Sequence, residues 1–443
     1  MDRTLYLQKL DWIFHRFPSV QKSGFAKDAY KPGLEHIQAF AELLAHPEGR
    51  LRTIHVAGTN GKGSVANMLA AALSALGFRV GLYTSPHILD FRERMRIIDA
   101  CGAKLISEDE VMEFLEKYEK AFTDLDLSFF EITTGLAFKW FADQEVDYAV
   151  IEVGLGGRLD STNVITPLIS VITSIGLDHC DLLGDTRAKI AAEKAGIFKP
   201  GIPALVSTRD EETAPVFWKM AAQVGAPLYF ADEMDARGEA WRAETLAEMD
   251  LQGDCQKENL RTVCAALEIL MPEAPEQDWN AMRSAIERTA EIADFHGRWE
   301  VLSRDPLTIC DIAHNPPALK GNFAKLERLL EAGECDDLLI VYGVMADKDL
   351  GSIMPLMPRR AEYILVEPRS ARSMKIDELH RRMSSVFSMG SLTPAGPVAT
   401  GVKLAQKRAA QLKAQGRRPL IYIGGSTFVV AEAVELFLIK EAL

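Results

Sequence analysis

The stretch Thr53-Ile54-His55-Val56-Ala57-Gly58-Thr59-Asn60-Gly61-Lys62-Gly63-Ser64 decides the fold of this chain. Its first five residues form an apolar run typical of a buried β-strand, and the pattern from Ser64 to Leu76 predicts a helix that ends at Gly77. A glycine-rich turn with a lysine therefore connects a strand to a helix, which is the context that a phosphate-binding loop requires. Because glycine has no Cβ, backbone N–H groups can converge there on phosphate oxygens, and the helix directs its positive end at the same anion.

The lysine and the serine of this turn predict a nucleoside triphosphate site. Lys62 would neutralise the β- and γ-phosphates, and the Ser64 hydroxyl would hold magnesium. The fit to G-x-x-x-x-G-K-[ST] is imperfect, since Val56 takes the place of the first glycine and Gly63 follows the lysine. The alternative, a tight turn without a ligand, is disfavoured by the lysine and by the strand–helix context. The sequence has neither the guanine-reading N-K-x-D of GTPase switches nor the H-R-D of protein kinases, so we exclude those classes.

Composition and charge set the broad class. The chain has 443 residues, with 50 Lys and Arg against 63 Asp and Glu and a net charge of −13. No basic block occurs, which disfavours a nucleic-acid partner. Charged residues interrupt the segment 1–20 and no run of ~18 apolar residues follows, so neither a signal peptide nor a membrane span is predicted. The six cysteines show no C-x-x-C spacing, which favours a reduced, cytoplasmic location over a zinc or disulfide framework.

Strand-like and helical patterns alternate in two stretches, which predicts parallel α/β architecture in each. The predicted strands are 53–57, 79–83, 148–153, 168–173 and 204–207 in the first stretch, and 307–311, 338–342, 363–366 and 420–423 in the second, which also has predicted helices at 317–330 and from Val429. We place the boundary at Asp294–Gly297, which gives domains of residues 1–296 and 297–443. The segment 211–250 has an irregular pattern, and the sequence assigns no structure to it.

A set of dispersed motifs makes the function more specific. In chain order they are Gly58 to Ser64, Ser85-Pro86-His87, Glu93-Arg94, Glu152-Val153-Gly154-Leu155-Gly156-Gly157-Arg158-Leu159-Asp160, Leu177-Asp178-His179, Glu193-Lys194-Ala195-Gly196-Ile197, His296-Gly297-Arg298, and Asp311 with Ala313-His314-Asn315-Pro316. This set resembles the folylpolyglutamate synthase and dihydrofolate synthase family of the Mur-ligase superfamily. The resemblance implies a P-loop-type ATP-binding domain with a parallel sheet and a pterin site, followed by a smaller, Rossmann-like α/β C-terminal glutamate-ligase domain.

The resemblance implies where ATP and two Mg²⁺ ions bind. Ser85, Glu152 and His179 would hold one Mg²⁺, and Ser64 would serve the other near the phosphates. Taken alone, an acid and a histidine at strand ends are more often hydrogen-bonded loop residues. The residues that the resemblance assigns to the nucleotide are Thr59, Asn60, Gly61, Lys62, Gly63 and Ser64, with Asn259 near the adenine, Arg298 on the phosphates and Asp311 on the ribose. A monovalent-cation requirement is left open.

The resemblance also assigns two residues to the chemistry besides Lys62. Lys194 matches a lysine that is carbamylated in the family, which suits a magnesium-rich site because the carbamate is an anion with two oxygens. A solvated helix lysine is the alternative, and carbamylation requires a neutral amine, which burial would favour. His314 matches a histidine near the reacting centre. Ile312 stands where the family usually has glycine, and Phe428 stands where an aromatic hydroxyl is frequent.

The predicted substrate site lies in two further segments. Asp160, with its neighbours Leu159 and Ser161, resembles the family residue that holds the pterin. The segment Ser128-Phe129-Phe130-Glu131 resembles another pterin-site stretch, in which rings could stack on a flat heterocycle. The alternative for the two phenylalanines is a place in the core. Arg94 could meet a substrate carboxylate or a phosphate, and an exposed ion pair is an equal alternative.

The sequence therefore predicts an ATP- and Mg²⁺-dependent ligase that forms an acyl phosphate and joins it to L-glutamate. Dihydropteroate and folates are the expected acceptors in one bifunctional, monomeric, cytoplasmic enzyme, with no membrane partner. A monofunctional folylpolyglutamate synthase is the first alternative. Two further alternatives are weaker. A ligase of nucleotide-linked peptidoglycan precursors would lack the Ser85-Pro86-His87 stretch, and a non-catalytic ATP-binding protein would not need the set of Lys62, Glu152, His179 and Lys194.

Overall fold

The computed structural model describes residues 3–17 and 31–441. The chain folds into two compact units. The first is built from the chain up to Asp250 and from Cys255–Phe295, and the second from Leu251–Asp254 and the chain from His296 onward. All six cysteines are free. Within the described ranges, no helix has both the length and the apolar character needed to cross a membrane.

An eight-stranded sheet is the centre of the first unit. Its strands are β1 (Thr53–Ala57), β2 (Val80–Tyr83), β3 (Met95–Asp99), β4 (Gly102–Leu105), β5 (Tyr148–Glu152), β6 (Ile169–Ile172), β7 (Ala204–Val206) and β8 (Leu228–Phe230). They lie in the order β4-β3-β2-β5-β1-β6-β7-β8, and only the β2–β3 and β3–β4 pairs are antiparallel. Strands β1 and β5 are buried along their whole length, as expected for a parallel sheet covered on both faces. Their carboxyl ends therefore meet at one edge, where α/β proteins bind ligands.

Helices cover this sheet. They are α1 (Arg3–Arg16), α2 (Glu35–Leu43), α3 (Lys62–Ser74), α4 (Glu108–Asp124), α5 (Phe129–Asp143), α6 (Cys180–Leu183), α7 (Arg187–Ala195), α8 (Ala214–Val224), α9 (Glu239–Glu248), α10 (Gln256–Leu270), α11 (Glu276–Glu287) and α12 (Thr289–Ala293). Helix α3 is buried on all sides except at Lys62, since β1, β2, β5, α10 and α11 surround it. An aromatic core that includes Phe40, Phe122 and Phe141 fills the space under α2, α4 and α5.

The second unit has a six-stranded sheet of its own. Its strands are β9 (Glu300–Arg304), β10 (Leu307–Asp311), β11 (Asp337–Tyr342), β12 (Ala361–Glu367), β13 (Leu392–Pro397) and β14 (Pro419–Gly424). The order is β13-β12-β11-β14-β10-β9, with only the β9–β10 pair antiparallel. The helices are α13 (Pro316–Glu331), α14 (Leu350–Ile353), α15 (Ile376–Met383), α16 (Val398–Lys413) and α17 (Thr427–Glu441). The predicted α/β fold class, with a mainly parallel sheet in each part, is confirmed.

All nine predicted strands are present. The predicted strands 53–57 and 307–311 match β1 and β10 at both ends, and the others have ends shifted by one or two residues. The segment 211–250, to which the sequence assigned no structure, contains α8, β8 and α9. Strand β8 has only three residues at the sheet edge, and Tyr229 in its middle is 40% exposed. Such a short, half-exposed strand leaves no periodic pattern in the sequence.

Candidate active site

The turn between β1 and α3 has a backbone that only glycine fits. Gly58 and Gly61 have φ angles of 149° and 89°. A Cβ on Gly58 would collide with Thr173 Oγ1, and one on Gly61 would collide with Asn259 Oδ1. The turn is thus held closely between the end of β6 and helix α10, with its backbone in a conformation that side chains other than glycine rarely adopt.

Hydroxyl groups of the residues that follow β6 hydrogen-bond to the backbone of the turn. Thr173 Oγ1 and Ser174 Oγ donate to Asn60 O at 2.7 and 3.1 Å, and Thr59 N donates to Ser174 O at 2.7 Å. The Lys62 ammonium donates to Gly58 O and Thr59 O at 3.0 and 3.2 Å. The turn therefore holds its own lysine at the rim of the loop, at the N-terminus of a long buried helix, where an anion is stabilised.

Ser64 lies in the first turn of α3 and is buried. Its hydroxyl accepts from Gln256 Nε2 at 3.4 Å, and Gln256 Oε1 accepts from Asn259 Nδ2 at 2.8 Å. The structure thus places Asn259, the residue predicted near the adenine, beside the glycine turn itself. Gln256 is a residue that sequence reasoning missed, because it lies outside every recognised motif.

One small pocket of the first unit joins four of the recognised motifs. Its volume is about 30 Å³, room for about two waters or an ion with part of its shell. The lining residues are Gly58, Thr59, Lys62, Val153, Gly154, Leu155, Gly156, Asp178, His179, Leu183 and Lys194. The structure therefore brings Lys62, His179 and Lys194 to one place, although about 130 residues of sequence separate the two lysines.

Lys194 is a buried amine, 4% exposed, so the alternative of a solvated helix lysine is wrong. Burial and, to a smaller extent, the nearby Lys62 charge together lower its pKa to about 7, against the opposing charges of Asp178, Asp160 and Glu193. About half of the amine is therefore neutral near pH 7. Burial and the neighbouring Lys62 charge therefore favour the neutral amine that carbamylation requires.

Of the three residues predicted to hold Mg²⁺, Ser85 and Glu152 lie at strand ends of this sheet, and His179 directly precedes α6. Glu152 ends β5, is buried, and accepts from Ser85 N at 3.0 Å, so these two residues are adjacent. His179 lines the pocket and has a left-handed φ of 52°. Its backbone N–H donates to the neighbouring carboxylate, Asp178 Oδ1, at 3.0 Å. The structure brings Ser85 and Glu152 together, whereas His179 lines the pocket that contains Lys62 and Lys194. The carboxylate and the hydroxyl are ligands that suit Mg²⁺, and the imidazole is an unusual one for so hard a cation. Asp178, which sequence reasoning did not select, adds a second acid.

Two of the predicted substrate residues have a structural role. Ser128 Oγ accepts from Glu131 N at 3.2 Å, and Glu131 Oε2 accepts from Ser128 N at 2.7 Å. They form a capping box that begins α5. Phe129 packs in the core, stacked on Phe14 at 4.7 Å between ring centroids, as its alternative predicted. Phe130 packs against the same core and also lies against the glycine loop, where a Cβ on Gly154 would collide with its ring.

Asp160 organises the loop in which it lies. Its Oδ1 accepts from Thr162 N and Thr162 Oγ1 at 3.0 and 2.5 Å, and its Oδ2 accepts from Leu155 N at 2.8 Å. Burial raises the pKa of this carboxyl, while these hydrogen bonds lower it. Leu159 is half-buried beside it, and Ser161 begins a short 3₁₀ helix, Ser161–Val164, that Asp160 caps. The carboxylate therefore fixes the shape of the glycine loop at the pocket.

Arg94 is buried, so the alternative of an exposed ion pair is wrong. Its Nε donates to His87 Nδ1 at 2.9 Å, and its guanidinium lies 5.3 Å from the Phe129 ring centroid. Burial lowers its pKa. Glu93, which sequence reasoning quoted without a role, accepts from the backbone N–H groups of Ile88, Leu89 and Asp90, at 2.6, 2.7 and 2.7 Å. Glu93 therefore shapes the loop that begins at Ser85.

The second unit carries Arg298, Asp311 and His314. Asp311 is buried and accepts from Trp299 N at 2.9 Å and Ala313 N at 2.8 Å. Burial raises its pKa, and the Arg298 charge lowers it. His314 Nδ1 bonds Ile312 O at 3.0 Å. The position of Ile312 does not require glycine, because its φ is not positive. Its N–H donates to Gly297 O at 3.0 Å.

Comparisons with known proteins agree with this architecture. Residues 56–253 match the family model of the Mur ligase middle domain, and residues 297–423 match that of the Mur ligase, glutamate ligase domain. The dihydrofolate synthase/folylpolyglutamate synthase of Bacillus subtilis is 35% identical over 369 residues, 78% of this chain and 81% of that protein.

Two solved structures share the fold. The Mycobacterium tuberculosis folylpolyglutamate synthase complexed with ADP and AMPPCP has a TM-score of 0.82 at 27% identity and covers 98% of this chain and 99% of that one. The bifunctional Yersinia pestis enzyme complexed with AMPPNP and a Mn ion has a TM-score of 0.78 at 28% identity, with 98% of each chain covered.

The two domains, the glycine turn and its lysine define an ATP-dependent ligase of the Mur type. Within that class, the chain belongs to the folylpolyglutamate synthase/dihydrofolate synthase family.

Proposed function

We propose that the chain is a bifunctional dihydrofolate synthase and folylpolyglutamate synthase, which uses ATP to join L-glutamate to dihydropteroate or to a folate. The observation that carries the proposal is the pocket in which Lys62 of the phosphate turn meets His179 and the buried Lys194. The names of the Bacillus subtilis and Yersinia pestis relatives, and the AMPPNP and Mn ion of the latter, support the same assignment. We further propose a monomer in the cytoplasm.

A carboxylate does not react with an amine, because oxide is a poor leaving group. In the proposed reaction, an oxygen of the acceptor carboxylate attacks the γ-phosphorus of ATP, the bond to the β-phosphate oxygen breaks, and ADP leaves. The neutral glutamate amine then attacks the acyl carbon, an N–C bond forms as the bond from that carbon to the phosphate-bearing oxygen breaks, the nitrogen loses a proton, and phosphate leaves with the former carboxylate oxygen. Lys62 and the N-terminus of α3 stabilise the charge on the transferred group.

Four residues would hold Mg²⁺ in this site: Ser64 near the phosphates, and Ser85, Glu152 and His179 at the strand ends. When bound, Mg²⁺ would neutralise phosphate charge and orient the γ-phosphate. The contact between Ser85 N and Glu152 Oε2 keeps two of these residues together. Asn60, Gly61 and Gly63 would contribute backbone contacts to the nucleotide, with Asn259 beside them.

Lys194 is proposed to be carbamylated. Its neutral amine attacks CO₂, an N–C bond forms as one C–O π bond breaks, and one proton is released. The product is an anion, so the repulsion between Lys194 and Lys62 becomes attraction. Arg298, Asp311 and His314 of the second unit are proposed for the nucleotide and the amine on the resemblance of their motifs. Asp160 and Phe130 are proposed to border the pterin.

Acceptor profiling tests the proposal. Purified protein with ATP and Mg²⁺ is assayed for ADP formation with dihydropteroate or with tetrahydrofolate, each with and without L-glutamate. Turnover that requires glutamate with both acceptors is expected. Activity with tetrahydrofolate alone would make the enzyme monofunctional. No ADP with either acceptor would refute the proposal.

A further inference from the structure

A buried arginine of β3 connects two distant segments of the first unit. Arg96 is 2% exposed. Its Nη1 donates to Ala293 O at 2.5 Å and to Asp294 O at 3.1 Å, and its Nη2 donates to Thr84 Oγ1 at 3.1 Å. One guanidinium therefore holds both the end of α12 and the residue that follows β2.

The first of these segments is where the chain leaves the first unit. Helix α12 ends at Ala293, Asp294 follows with a left-handed φ of 51°, and the second unit begins at His296. The last carbonyl groups of a helix have no donor within the helix, and a cation there is favourable. Arg96 supplies these carbonyls with donors and so fixes the exit segment, defined here as residues 293–295.

The second segment carries a candidate Mg²⁺ residue. Thr84 directly precedes Ser85, and its N–H donates to Arg94 O at 3.0 Å. Ser85 N in turn donates to Glu152 Oε2. Arg96 is therefore one hydrogen-bonded side chain away from the Ser85 backbone and lies near the Glu152 carboxylate, whose charge raises the pKa of Arg96.

Core packing alone does not explain an arginine in this position. Burial lowers its pKa to about 10, which shows that desolvation works against the charged form. The Glu93, Asp294 and Glu152 charges oppose that effect, yet the hydrogen bonds of the guanidinium to the two backbone carbonyls and to the threonine hydroxyl go to neutral oxygens. A well-packed apolar side chain often gives equal or greater stability at such a site. What distinguishes the arginine from an apolar side chain here is that its fork of donors connects two backbone segments.

We propose that Arg96 is a positioning residue that couples the Thr84–Ser85 segment of the candidate Mg²⁺ site to the exit segment of the first unit. The inference rests on the proposed function, since Ser85 and Glu152 take their role from it. Both segments lie in the same unit, and the coupling passes through three hydrogen bonds from one side chain.

The test compares Arg96→Met and Thr84→Val with a matched control. The control residue is Arg79, which lies directly before β2, whereas Thr84 lies directly after it. The Arg79 guanidinium also donates to a backbone carbonyl, Gln144 O, at 2.6 Å, and to Gln144 Oε1 at 2.8 Å. Arg79→Met therefore removes a similar clamp from the other end of the same strand. The half-saturating Mg²⁺ concentration for ADP formation is measured in each variant, together with hydrogen–deuterium exchange of peptides that cover 84–93 and 289–295.

Arg96→Met is expected to raise the half-saturating Mg²⁺ concentration roughly tenfold, the size expected for losing a charged hydrogen bond, and to speed exchange in both segments. Thr84→Val removes only the hydroxyl on the Ser85 side and is nevertheless expected to speed exchange at 289–295. Arg79→Met is expected to leave the Mg²⁺ response and both segments as in the wild type.

A wild-type Mg²⁺ response in Arg96→Met, or unchanged exchange at 289–295 in Thr84→Val, would overturn the coupling. If Arg96→Met does not fold, Thr84→Val decides through the same two measurements. Failure of the wild-type protein to form ADP would refute the proposed function instead, and the exchange measurements would still test the connection between the two segments.

Discussion

Each unit of the molecule has a strand that runs through a glycine turn into a helix, and the two turns differ in what surrounds them. In the first unit, the turn between β1 and α3 is supported by the hydroxyls of Thr173 and Ser174 and carries Lys62. In the second, the turn Gly425-Ser426 between β14 and α17 is packed against rings and backbone. A Cβ on Gly425 would lie 2.5 Å from Tyr342 Cε2 and 2.6 Å from Gly343 O.

The comparison teaches that glycine in such a turn has two uses. In the first unit it lets the hydroxyl groups that follow β6 approach the loop closely and hydrogen-bond to its backbone. In the second unit glycine permits the close packing of β14 beside β11. The helix that follows this turn has no lysine in its first turn. A strand–glycine–helix pattern is therefore informative about phosphate only together with the lysine and the polar support.

The largest expected effect comes from the feature that only the first turn has. Lys62→Met should reduce ADP formation by about a hundred- to a thousandfold, because no other side chain of the turn offsets the γ-phosphate charge. Steady-state kinetics with a pterin acid and glutamate measure this. Lys120→Met, at a side chain that is 91% exposed, is the control and should retain activity. Activity near wild type in Lys62→Met would show that the two turns do not differ in function.

A glycine pair tests the difference in support. Gly58→Ala and Gly425→Ala both force alanine into a positive φ, 149° and 96°, and should each destabilise the fold by about 1–3 kcal/mol. Only Gly58→Ala displaces Thr173 from the loop, so only it should weaken AMPPNP binding, by roughly tenfold or more. Thermal unfolding and calorimetric titration separate the two effects. Equal losses of nucleotide affinity in both variants would contradict the assignment.

The activity of the first unit should depend on pH through Lys194, a buried amine at the pocket beside the first glycine turn. Its pKa is lowered to about 7, so the amine becomes protonated and unable to take up CO₂ as the pH falls below 7. Removing CO₂ and bicarbonate should lower activity several-fold, and more so at pH 6 than at pH 8. Lys194→Ala should lose activity under all conditions and recover part of it with acetate. An activity that is independent of CO₂ at every pH would exclude the carbamate.

The same pKa gives a stability prediction for the unmodified protein. The amine has a pKa of about 10.4 in an unfolded chain, so between pH 7 and 10 the unfolded state binds more protons than the folded state. Stability should therefore rise with pH across this range in CO₂-free buffer. Lys194→Met should flatten that rise in urea-unfolding measurements, and an unchanged slope would place the effect elsewhere.

What the sequence could predict was set by local chemistry. The β1–turn–α3 region was predictable because strand, glycines, lysine and helix follow one another within 25 residues. The burial of Lys194 was not, because its surroundings come from segments near Gly154 and Asp178 that meet it only in the folded chain. Arg96 was missed for the same reason, since its partner Ala293 is 197 residues away in sequence. Ser128 and Glu131 were assigned to substrate, whereas their spacing of three residues is that of a capping box.

The smallest expected effect concerns the start of α17. Ser426 is buried, and its Oγ accepts from Phe428 N at 3.2 Å, so it caps the helix that follows the second glycine turn. Ser426→Ala should cost about 1 kcal/mol in urea unfolding and leave AMPPNP affinity unchanged, because the turn is packed against Tyr342 and Gly343 rather than opened by hydroxyls. Ser64→Ala is the matched variant at the first turn and should instead weaken the Mg²⁺ dependence of AMPPNP binding. If Ser426→Ala lowered nucleotide affinity as Ser64→Ala is expected to, the second turn would also bind phosphate. Lysine would then not be what distinguishes the two glycine turns.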